Sequence, residues 1–193
     1  TVVSTGFVIP EGTTVRYTTD GSVPTLESTI YQGETIELNF TTVLRARAFP
    51  DKAGYEPSTV TTGTYFINTY HTLPIVSVVT DPSILYDPES GMLTVGDDVV
   101  KEPGVLPFPN TVYRQVKTEG DPQPVHLEYY AMDGTEILNQ DCEFKLMGDY
   151  SLDMPQKSMK FRAKSVYGSK TFDAKLFDDR PYVQYKSLVL RNS

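Results

Sequence analysis

The sequence predicts a mainly β protein, and three observations support that prediction. Residues that favour strands are frequent, with 13 tyrosines and 9 phenylalanines among the 193 residues. The 14 prolines and 13 glycines interrupt the chain too often for long helices. Short runs of alternating apolar and polar residues recur from one end of the chain to the other.

The predicted strands are short segments bounded by turn residues. Alternating or β-branched composition marks them at Thr1–Ile9, Thr14–Thr18, Thr35–Asn39, Val43–Phe49, Val60–Ile67, Ile75–Val79, Val125–Met132, Cys142–Met147, Ser158–Ala163 and Ser187–Leu190. A short helix is predicted at Pro82–Tyr86, because Asp81-Pro82 is a favourable helix start. Hairpin turns are predicted at Asp20-Gly21, Asp133-Gly134 and Tyr167-Gly168-Ser169.

The strand pattern changes near Asn68–Leu73. Before this point every strand is short and turn-separated, as in a small β-sandwich. After it the strands lengthen, and an irregular stretch rich in Pro, Gly and Asp extends from Gly96 to Pro124. A loop of that length inside a compact domain is usually functional or poorly ordered. The sequence therefore predicts two domains, 1–67 and 68–193.

Composition excludes several classes of function. A net charge of −8 argues against a nucleic-acid partner, since phosphate binding needs a cationic face. No apolar run reaches the roughly 20 residues of a membrane span. Cys142 stands alone, so no internal disulfide forms, and no basic partner marks it as a nucleophile. His71 and His126 lack metal-ligand spacing, and the alternation around His126 predicts a half-exposed strand residue.

The first 66 residues contain a specific pattern of turns and strands. Its members are Tyr17-Thr18-Thr19-Asp20-Gly21-Ser22, Pro24, Ser28, Tyr31, Leu44-Arg45-Ala46-Arg47-Ala48, and Pro57-Ser58 with Tyr65. This pattern resembles the Ig-like module at the C-terminus of chitobiases and β-hexosaminidases, with the module's first strand cut off. The resemblance implies either a spacer that positions a neighbour or a carbohydrate-binding module. The spacer is favoured, because the tyrosines stand where cross-strand packing would use them.

The remainder, about residues 70–193, resembles the N-terminal part of the CotH family of spore-coat and secreted bacterial proteins, which have an atypical kinase-like fold. The matching positions are Leu73-Pro74, Gly91, Pro124-Val125, Glu128-Tyr129, Gly148, Ser151, Pro155-Gln156-Lys157-Ser158, Lys160, Tyr167-Gly168, Phe172, Leu176-Phe177 and Leu190-Arg191-Asn192. Leu152 stands where the family commonly has an arginine, which weakens the loop as a phosphate clamp. The expected fold is a small Ig-like β-sandwich followed by a β-rich partial CotH-like domain.

The resemblance also implies what the chain lacks. In the family, the Leu-Arg-Asn strand is followed by a helical half that carries the metal-binding and proton-accepting acidic residues. We therefore expect a fragment that is inactive alone, has no cofactor or metal of its own, and needs the downstream half of its chain as partner. ATP and Mg²⁺ would serve the complete protein if it is an active kinase. Secreted or coat proteins, or polysaccharide, are the implied partners, and the expected location is secreted or at the cell surface.

A group of residues between Gly148 and Lys160 is the candidate nucleotide site. On a strand from Ser158 to Ala163, Met159 and Phe161 share one face and Lys160 lies on the other. Kinase-like folds use a strand cation to hold nucleotide phosphates. The resemblance accordingly implies nucleotide binding by Lys160, with Lys157 as second candidate and Gly148 and Ser151 in the loop nearest the phosphates.

Two other interpretations remain open. Lys160, Arg162 and Lys164 could be the charged face of an edge strand, which such residues protect from aggregation. The whole chain could be a non-enzymatic surface scaffold or a carbohydrate-associated binding module. No catalytic residue is assigned, because Asp149, Asp153, Asp178 and Asp179 lie in turn-like sequence without the pairing of a metal site.

Overall fold

A computed structural model describes residues 2–94, 122–148, 152 and 156–192. The chain is mainly β, as predicted, and its strands form antiparallel sheets. The predicted loop from Gly96 to Pro124 lies mostly outside the described residues, as does the candidate residue Ser151.

The N-terminal unit, which we define as residues 2–67, is a two-layer β-sandwich. Its strands are β1 (Val3–Thr5), β2 (Thr13–Thr18), β3 (Thr29–Ile30), β4 (Ile36–Leu38), β5 (Thr42–Pro50) and β6 (Thr61–Tyr65). One layer has the order β3-β2-β5-β6 and the other pairs β1 with β4. Val15, Leu44 and Ala46 pack between the layers against Ile36 and Leu38, so the inward residues of each strand form one core.

Two tyrosines of this unit, Tyr17 and Tyr31, serve cross-strand packing, as the sequence predicts. Tyr31 is buried, and its ring meets those of Phe7 and Tyr17 edge-on, at centroid distances of 5.3 and 6.3 Å. Edge-to-face contacts of this kind add to the free energy gained by area burial. Tyr17 and Tyr31 are therefore part of the sandwich core.

The C-terminal unit, residues 68–192 as far as they are described, is built on a five-stranded sheet. Its elements are β7 (Ile75–Val79), α1 (Pro82–Tyr86), β8 (Gln123–Tyr130), β9 (Glu136–Met147), β10 (Ser158–Arg162), a 3₁₀ turn (Ser165–Tyr167), β11 (Phe172–Asp173), β12 (Gln184–Tyr185) and β13 (Ser187–Leu190). The sheet order is β13-β10-β9-β8-β7, and β11 pairs with β12 apart from it.

The two faces of the five-stranded sheet differ in character. On one face Phe144, Leu146 and Phe161 are almost wholly buried, and Val125 and Leu127 extend the same apolar layer across β8. The opposite face carries the alternate residues of the same strands, and these are polar: His126, Glu128, Asp141, Glu143, Lys145 and Lys160. The polar face is where the candidate sites lie.

Several local predictions are confirmed. Pro82–Tyr86 is helical, and the Asp81 carboxylate accepts a hydrogen bond from the Ser83 backbone N–H at 3.0 Å. The Asp133-Gly134 turn joins β8 to β9, with Gly134 at φ 85°, a conformation that glycine adopts without strain. Both Ile75–Val79 and Ser187–Leu190 form strands with the predicted bounds.

Other local predictions are wrong. Tyr167-Gly168-Ser169 does not turn a hairpin, because the strand that follows, β11, pairs with β12 and not with β10. Strand β9 begins at Glu136, six residues before the predicted Cys142, because β8 pairs with its whole first half. Strands β6 and β7 belong to different sheets. The independence of the domains 1–67 and 68–193 stays a prediction.

Candidate functional site

The sequence-predicted Lys160 lies in the middle of β10, directly opposite Lys145 of β9 and Val189 of β13. Directly opposite residues of an antiparallel pair hold their Cβ atoms about 4.5–5.5 Å apart, and like charges there repel. Neither lysine forms an ion pair within the described part of the chain. We call Lys145 and Lys160 the lysine pair.

The charged residues next to the lysine pair, in contrast, do form ion pairs. Glu143, which precedes the lysine pair on the same face of β9, lies 3.4 Å from the Lys164 ammonium and 4.0 Å from the Arg162 guanidinium. Its carboxylate therefore neutralises part of the cationic charge of that end of β10. Strand β10 has partners on both sides, β9 and β13, so the interpretation of its charges as protection of a sheet edge is wrong.

Of the other predicted nucleotide-binding residues, Gly148 and Lys157 flank the paired residues Met147 and Ser158 at one end of the β9–β10 ladder. The Lys157 ammonium donates a hydrogen bond to the Leu152 carbonyl, which holds this side chain towards its own loop. Gly148 directly follows β9, has φ 122° and is exposed. Strand β10 is instead fixed to the chain after β13, because the Ser158 hydroxyl lies 2.7 Å from Asn192 Oδ1. The structure thus brings Lys160 next to Lys145, a partner that sequence reasoning missed because it depends on strand register.

Two of the four carboxylates that the sequence left open lie within the described residues. Asp178 and Asp179 are exposed, and Asp179 lies 3.4 Å from Arg180. Asp149 and Asp153 lie outside the described residues. Within the ranges that the structure describes, no three His, Cys, Asp or Glu side chains come together as metal ligands would. We assign no Mg²⁺ ligand among them.

A second group of side chains, bonded to one another through Glu128, joins the two units. This side chain of β8 is fully buried and accepts hydrogen bonds from the Thr64 backbone N–H, at 3.0 Å, and from the Thr64 hydroxyl. The Tyr130 hydroxyl donates a third hydrogen bond at 3.1 Å. Ser77 Oγ of β7 lies 2.7 Å from Thr64 Oγ1. The outer face of β6 is thereby bonded to the polar face of the five-stranded sheet.

Burial and the nearby carboxylates raise the pKa of Tyr130, with burial as the larger cause. The phenol therefore stays protonated and remains a donor to Glu128 at any physiological pH. Phe66 packs edge-on against the same ring at a centroid distance of 5.3 Å, so an apolar contact lies beside the polar one.

Next to this contact lies a cavity of about 240 Å³, which we call the junction pocket. Arg45 of β5 and Val23 line it from the N-terminal unit, and His126, Asp141 and Tyr167 line it from the C-terminal unit. His126 Nδ1 lies 2.8 Å from an Asp141 carboxylate oxygen. The histidine side chain is only 7% exposed, so the prediction of a half-exposed residue is wrong.

Arg45 is the buried cation of the junction pocket. Its Nε and Nη1 groups donate to the Thr62 hydroxyl at 3.3 Å and to the Gly21 carbonyl at 3.0 Å. Burial lowers the pKa of Arg45, while Asp141 and Asp81 act against that shift. A guanidinium keeps its charge over such shifts, so Arg45 is a cation facing two carboxylates.

The burial of His126 could not be predicted from the sequence, because the residues that bury it are remote in the chain. Arg45 and Val23 reach the pocket only when the units are docked, and no local pattern encodes that docking. Cys142, which the sequence places at the start of a predicted strand, lies inside β9 and is buried. Its thiol has no exposed surface, and burial raises its pKa to about 12.

The β-sandwich geometry of the N-terminal unit agrees with a comparison of its sequence with known protein families. Residues 3–62 match the family model of the chitobiase/beta-hexosaminidase C-terminal domain. The match confirms the resemblance of this unit and includes Arg45 and Thr62, but it ends before Thr64. No curated protein and no solved structure matches the chain. The resemblance of residues 70–193 to the CotH family stays a prediction.

None of the helices in the described ranges has the length and apolar character needed to cross a membrane.

Proposed function

We propose that the N-terminal unit is a spacer that holds the C-terminal unit in a fixed orientation within a secreted or cell-surface protein. The observation that supports this role is the buried carboxylate of Glu128, which is bonded to Thr64 across the junction. A buried carboxylate without partners is strongly unfavourable. Separation of the units would remove its Thr64 partners, so the bonded arrangement favours one fixed orientation.

The family match gives the spacer its context. A module of the chitobiase/beta-hexosaminidase type belongs to a carbohydrate-associated family typical of extracellular glycosidases, which supports secretion or display at the cell surface. The packing of Tyr17 and Tyr31 into the sandwich core leaves these rings unable to serve as a flat sugar platform. A spacer therefore accounts for this unit better than a sugar-binding surface formed by those tyrosines.

The spacer role is tested by the distance between the two units. Spin labels at Tyr55→Cys and Tyr182→Cys occupy exposed positions in different units. Native Cys142 is buried and escapes labelling. Pulsed electron resonance should give one narrow distance distribution, which Glu128→Gln broadens and Glu37→Gln, at an exposed carboxylate of β4, leaves unchanged. A broad distribution in the parent chain would show that the units are independently mobile and would exclude the spacer role.

We propose a second function for the lysine pair, as the contact for nucleotide phosphates in a CotH-like kinase or pseudokinase. The supporting observation is the placement of Lys160 opposite Lys145 without an acidic partner in the described chain. Two adjacent cations repel, and a bound polyanion removes that repulsion. ATP would supply the phosphates. The described residues supply no metal-ligand group, so we assign them binding and no catalytic step.

Titration of the chain with ATP and with tripolyphosphate tests this contact. A charge-assisted hydrogen bond is worth about 1.5–3 kcal/mol, so Lys160→Ala should weaken binding roughly 10- to 150-fold. Lys145→Ala should weaken it comparably, and Lys157→Ala less, because its ammonium is engaged by the Leu152 carbonyl. Lys52→Ala, an exposed lysine of the other unit, is the control. Equal binding by Lys160→Ala and Lys52→Ala would reject the nucleotide contact.

A further inference from the structure

Another cavity lies at the tip of the β8–β9 hairpin, and aromatic side chains line much of it. Its volume is about 430 Å³, within the roughly 300–1,000 Å³ of ligand pockets. The rings come from the segment that links the two units, with Phe66, Tyr70 and His71, and from Tyr130 at the end of β8. The hairpin turn, which includes Asp133, completes the lining. We call this cavity the aromatic cleft.

The rings of the aromatic cleft present open faces. The Phe66 ring is inclined by 77° to the His71 ring and by 83° to the Tyr130 ring, at centroid distances of 5.7 and 5.3 Å. Rings that meet edge to face cannot stack, and each such contact covers at most one face of a ring. Tyr70 is 89% exposed, so both of its faces are almost uncovered. The cleft therefore offers several π faces to a ligand.

The electrostatic character of the cleft is negative. Asp133 is an exposed carboxylate, and no lysine or arginine is among the described residues that line the cleft. The Tyr130 hydroxyl donates to Glu128 at 3.1 Å and lies 3.4 Å from a carboxylate oxygen of Glu136. Hydrogen bonds polarise the groups that they join, so a phenol beside two carboxylates has a more electron-rich ring. Both the ring faces and the carboxylate favour a cation and disfavour an anion.

The apolar part of the lining favours a quaternary ammonium over a protonated amine. Met132 is 64% exposed at the hairpin turn, and Ile75 adds an aliphatic side chain. A protonated amine is a strongly hydrated point charge, and it must replace its water with hydrogen bonds when it is buried. A quaternary ammonium has no N–H group, so its methyl groups leave water for rings and a thioether without the loss of a hydrogen bond. The lining therefore suits a methylated cation.

We propose that the aromatic cleft binds the quaternary ammonium group of a choline-type cation. The methyl groups pack on the ring faces, with Tyr70 as the most exposed of them, and the positive charge lies near the carboxylate of Asp133. A volume of about 430 Å³ leaves room for the part of the ligand that carries the group. The proposal does not depend on the spacer or nucleotide functions, since neither uses Tyr70 or Asp133.

Titration of the full chain with choline and with its uncharged isostere, in which carbon replaces the quaternary nitrogen, tests the proposal. The readout is the ¹³C-methyl spectrum of the 5 methionines, because Met132 lines the cleft and Met92 is buried elsewhere. At pH 8, where histidines are neutral, choline up to about 20 mM should move the Met132 signal and leave that of Met92 in place. The isostere should bind about 2- to 30-fold more weakly, the range of a cation–π contact. Equal binding of the two ligands would overturn the proposal.

Two further ligands identify the source of the quaternary group. Phosphocholine should bind more weakly than choline, because its phosphate meets the carboxylate of Asp133, and tighter binding would contradict the negative character of the cleft. The amide of acetylated trimethyl-lysine carries the group as a peptide would. If this amide binds more tightly than choline, the natural ligand is a methylated side chain. If choline binds more tightly, the natural ligand is a free small molecule.

Substitutions in the lining provide the second test. Tyr70→Ala should weaken choline binding about 2- to 5-fold, and Tyr182→Ala, at an exposed tyrosine outside the cleft, should leave it unchanged. Asp133→Asn keeps the turn, since Asn-Gly is as favourable in hairpins as Asp-Gly, and should weaken binding of choline but not of the isostere. The proposal is overturned if choline moves Met132 and Met92 equally or moves neither. It is also overturned if Tyr70→Ala and Tyr182→Ala bind choline alike.

Discussion

Glu128 accepts hydrogen bonds from both the backbone N–H and the hydroxyl of Thr64, and these two residues belong to different sheets. Thr64→Val keeps the shape of the side chain and removes the hydroxyl donor. Hydrogen bonds to charged groups contribute about 1.5–3 kcal/mol, and we expect a loss of that size in the free energy of unfolding. Chemical denaturation measures it.

The same pair allows a double-mutant cycle. Thr64→Val, Glu128→Gln and the double variant should show an interaction energy of about 0.5–3 kcal/mol, as contacting residues do. Thr61→Val, an exposed threonine on the same strand, is the control and should cost less than about 0.5 kcal/mol. Additive effects of the two substitutions would show that the contact does not hold the junction.

Cys142 is expected to resist thiol reagents in the folded chain. Its side chain is fully buried among apolar residues, and burial raises its pKa to about 12, so the reactive thiolate is scarce at pH 8. Reaction with a chromogenic disulfide should therefore proceed only at the rate at which the sheet opens, and should become rapid in denaturant. Fast reaction of the native chain would contradict the burial of β9.

Gly91 is expected to tolerate no side chain. A Cβ atom at this position would lie 2.6 Å from the backbone N and O of Asp87 and 2.8 Å from the Leu85 carbonyl. Because these are backbone atoms, the turn after α1 must shift, at a cost of about 1–3 kcal/mol. Thermal unfolding of Gly91→Ala measures this cost. Gly63→Ala, whose Cβ meets only the Tyr65 ring at 3.5 Å, should be markedly milder.

Stability should fall in acid partly through Asp81. A hydrogen bond from the Ser83 side chain is the main cause that lowers the pKa of Asp81 below its ordinary value. A lowered folded-state pKa stabilises the fold above the unfolded pKa of about 3.9, and that stability is lost as the pH falls through the folded-state value. Melting temperatures of Asp81→Asn and the parent should differ at pH 7 and converge near pH 2. An equal difference at both pH values would contradict the assignment.

The lysine pair should be a stability cost in the absence of a bound anion. Like charges directly opposite each other on antiparallel strands are destabilising. Such cross-strand pairs change the free energy of unfolding by roughly 0.2–1 kcal/mol. Lys145→Gln should accordingly raise the free energy of unfolding at low salt, and the gain should shrink as added salt screens the charges. A loss of stability, or a gain that salt does not change, would show that repulsion between Lys145 and Lys160 is not the cause.

Much of the fold follows from the sequence, and the exceptions have physical reasons. Strands such as Ile75–Val79 are recognisable because each contains apolar residues that its sheet buries. The two-residue strands β3, β11 and β12 are too short for any periodicity. The first half of β9 escaped prediction because its polar residues, including Asn139 and Asp141, alternate with only one buried apolar side chain, Leu138.

The candidate sites likewise contain features that the sequence could predict and features that it could not. Lys160 could be placed on the polar face of its strand from alternation alone, and the register confirms that parity, since Phe161 packs against Phe144. Lys145 could not be paired with it, because strand register is fixed by tertiary packing. His126 and Arg45 could not be joined for the same reason, since the pocket exists only where two remote sheets meet.

Strand β9 carries both candidate sites on one side, with Asp141 at the junction pocket and Lys145 in the lysine pair. Side chains of a strand alternate strictly, so a shift of one residue would turn both inward and expose Cys142 and Phe144. Substitutions at either site can accumulate separately during evolution. The length of the Asp133-Gly134 turn cannot change so freely, because a single inserted or deleted residue there could disable two sites that share no side chain.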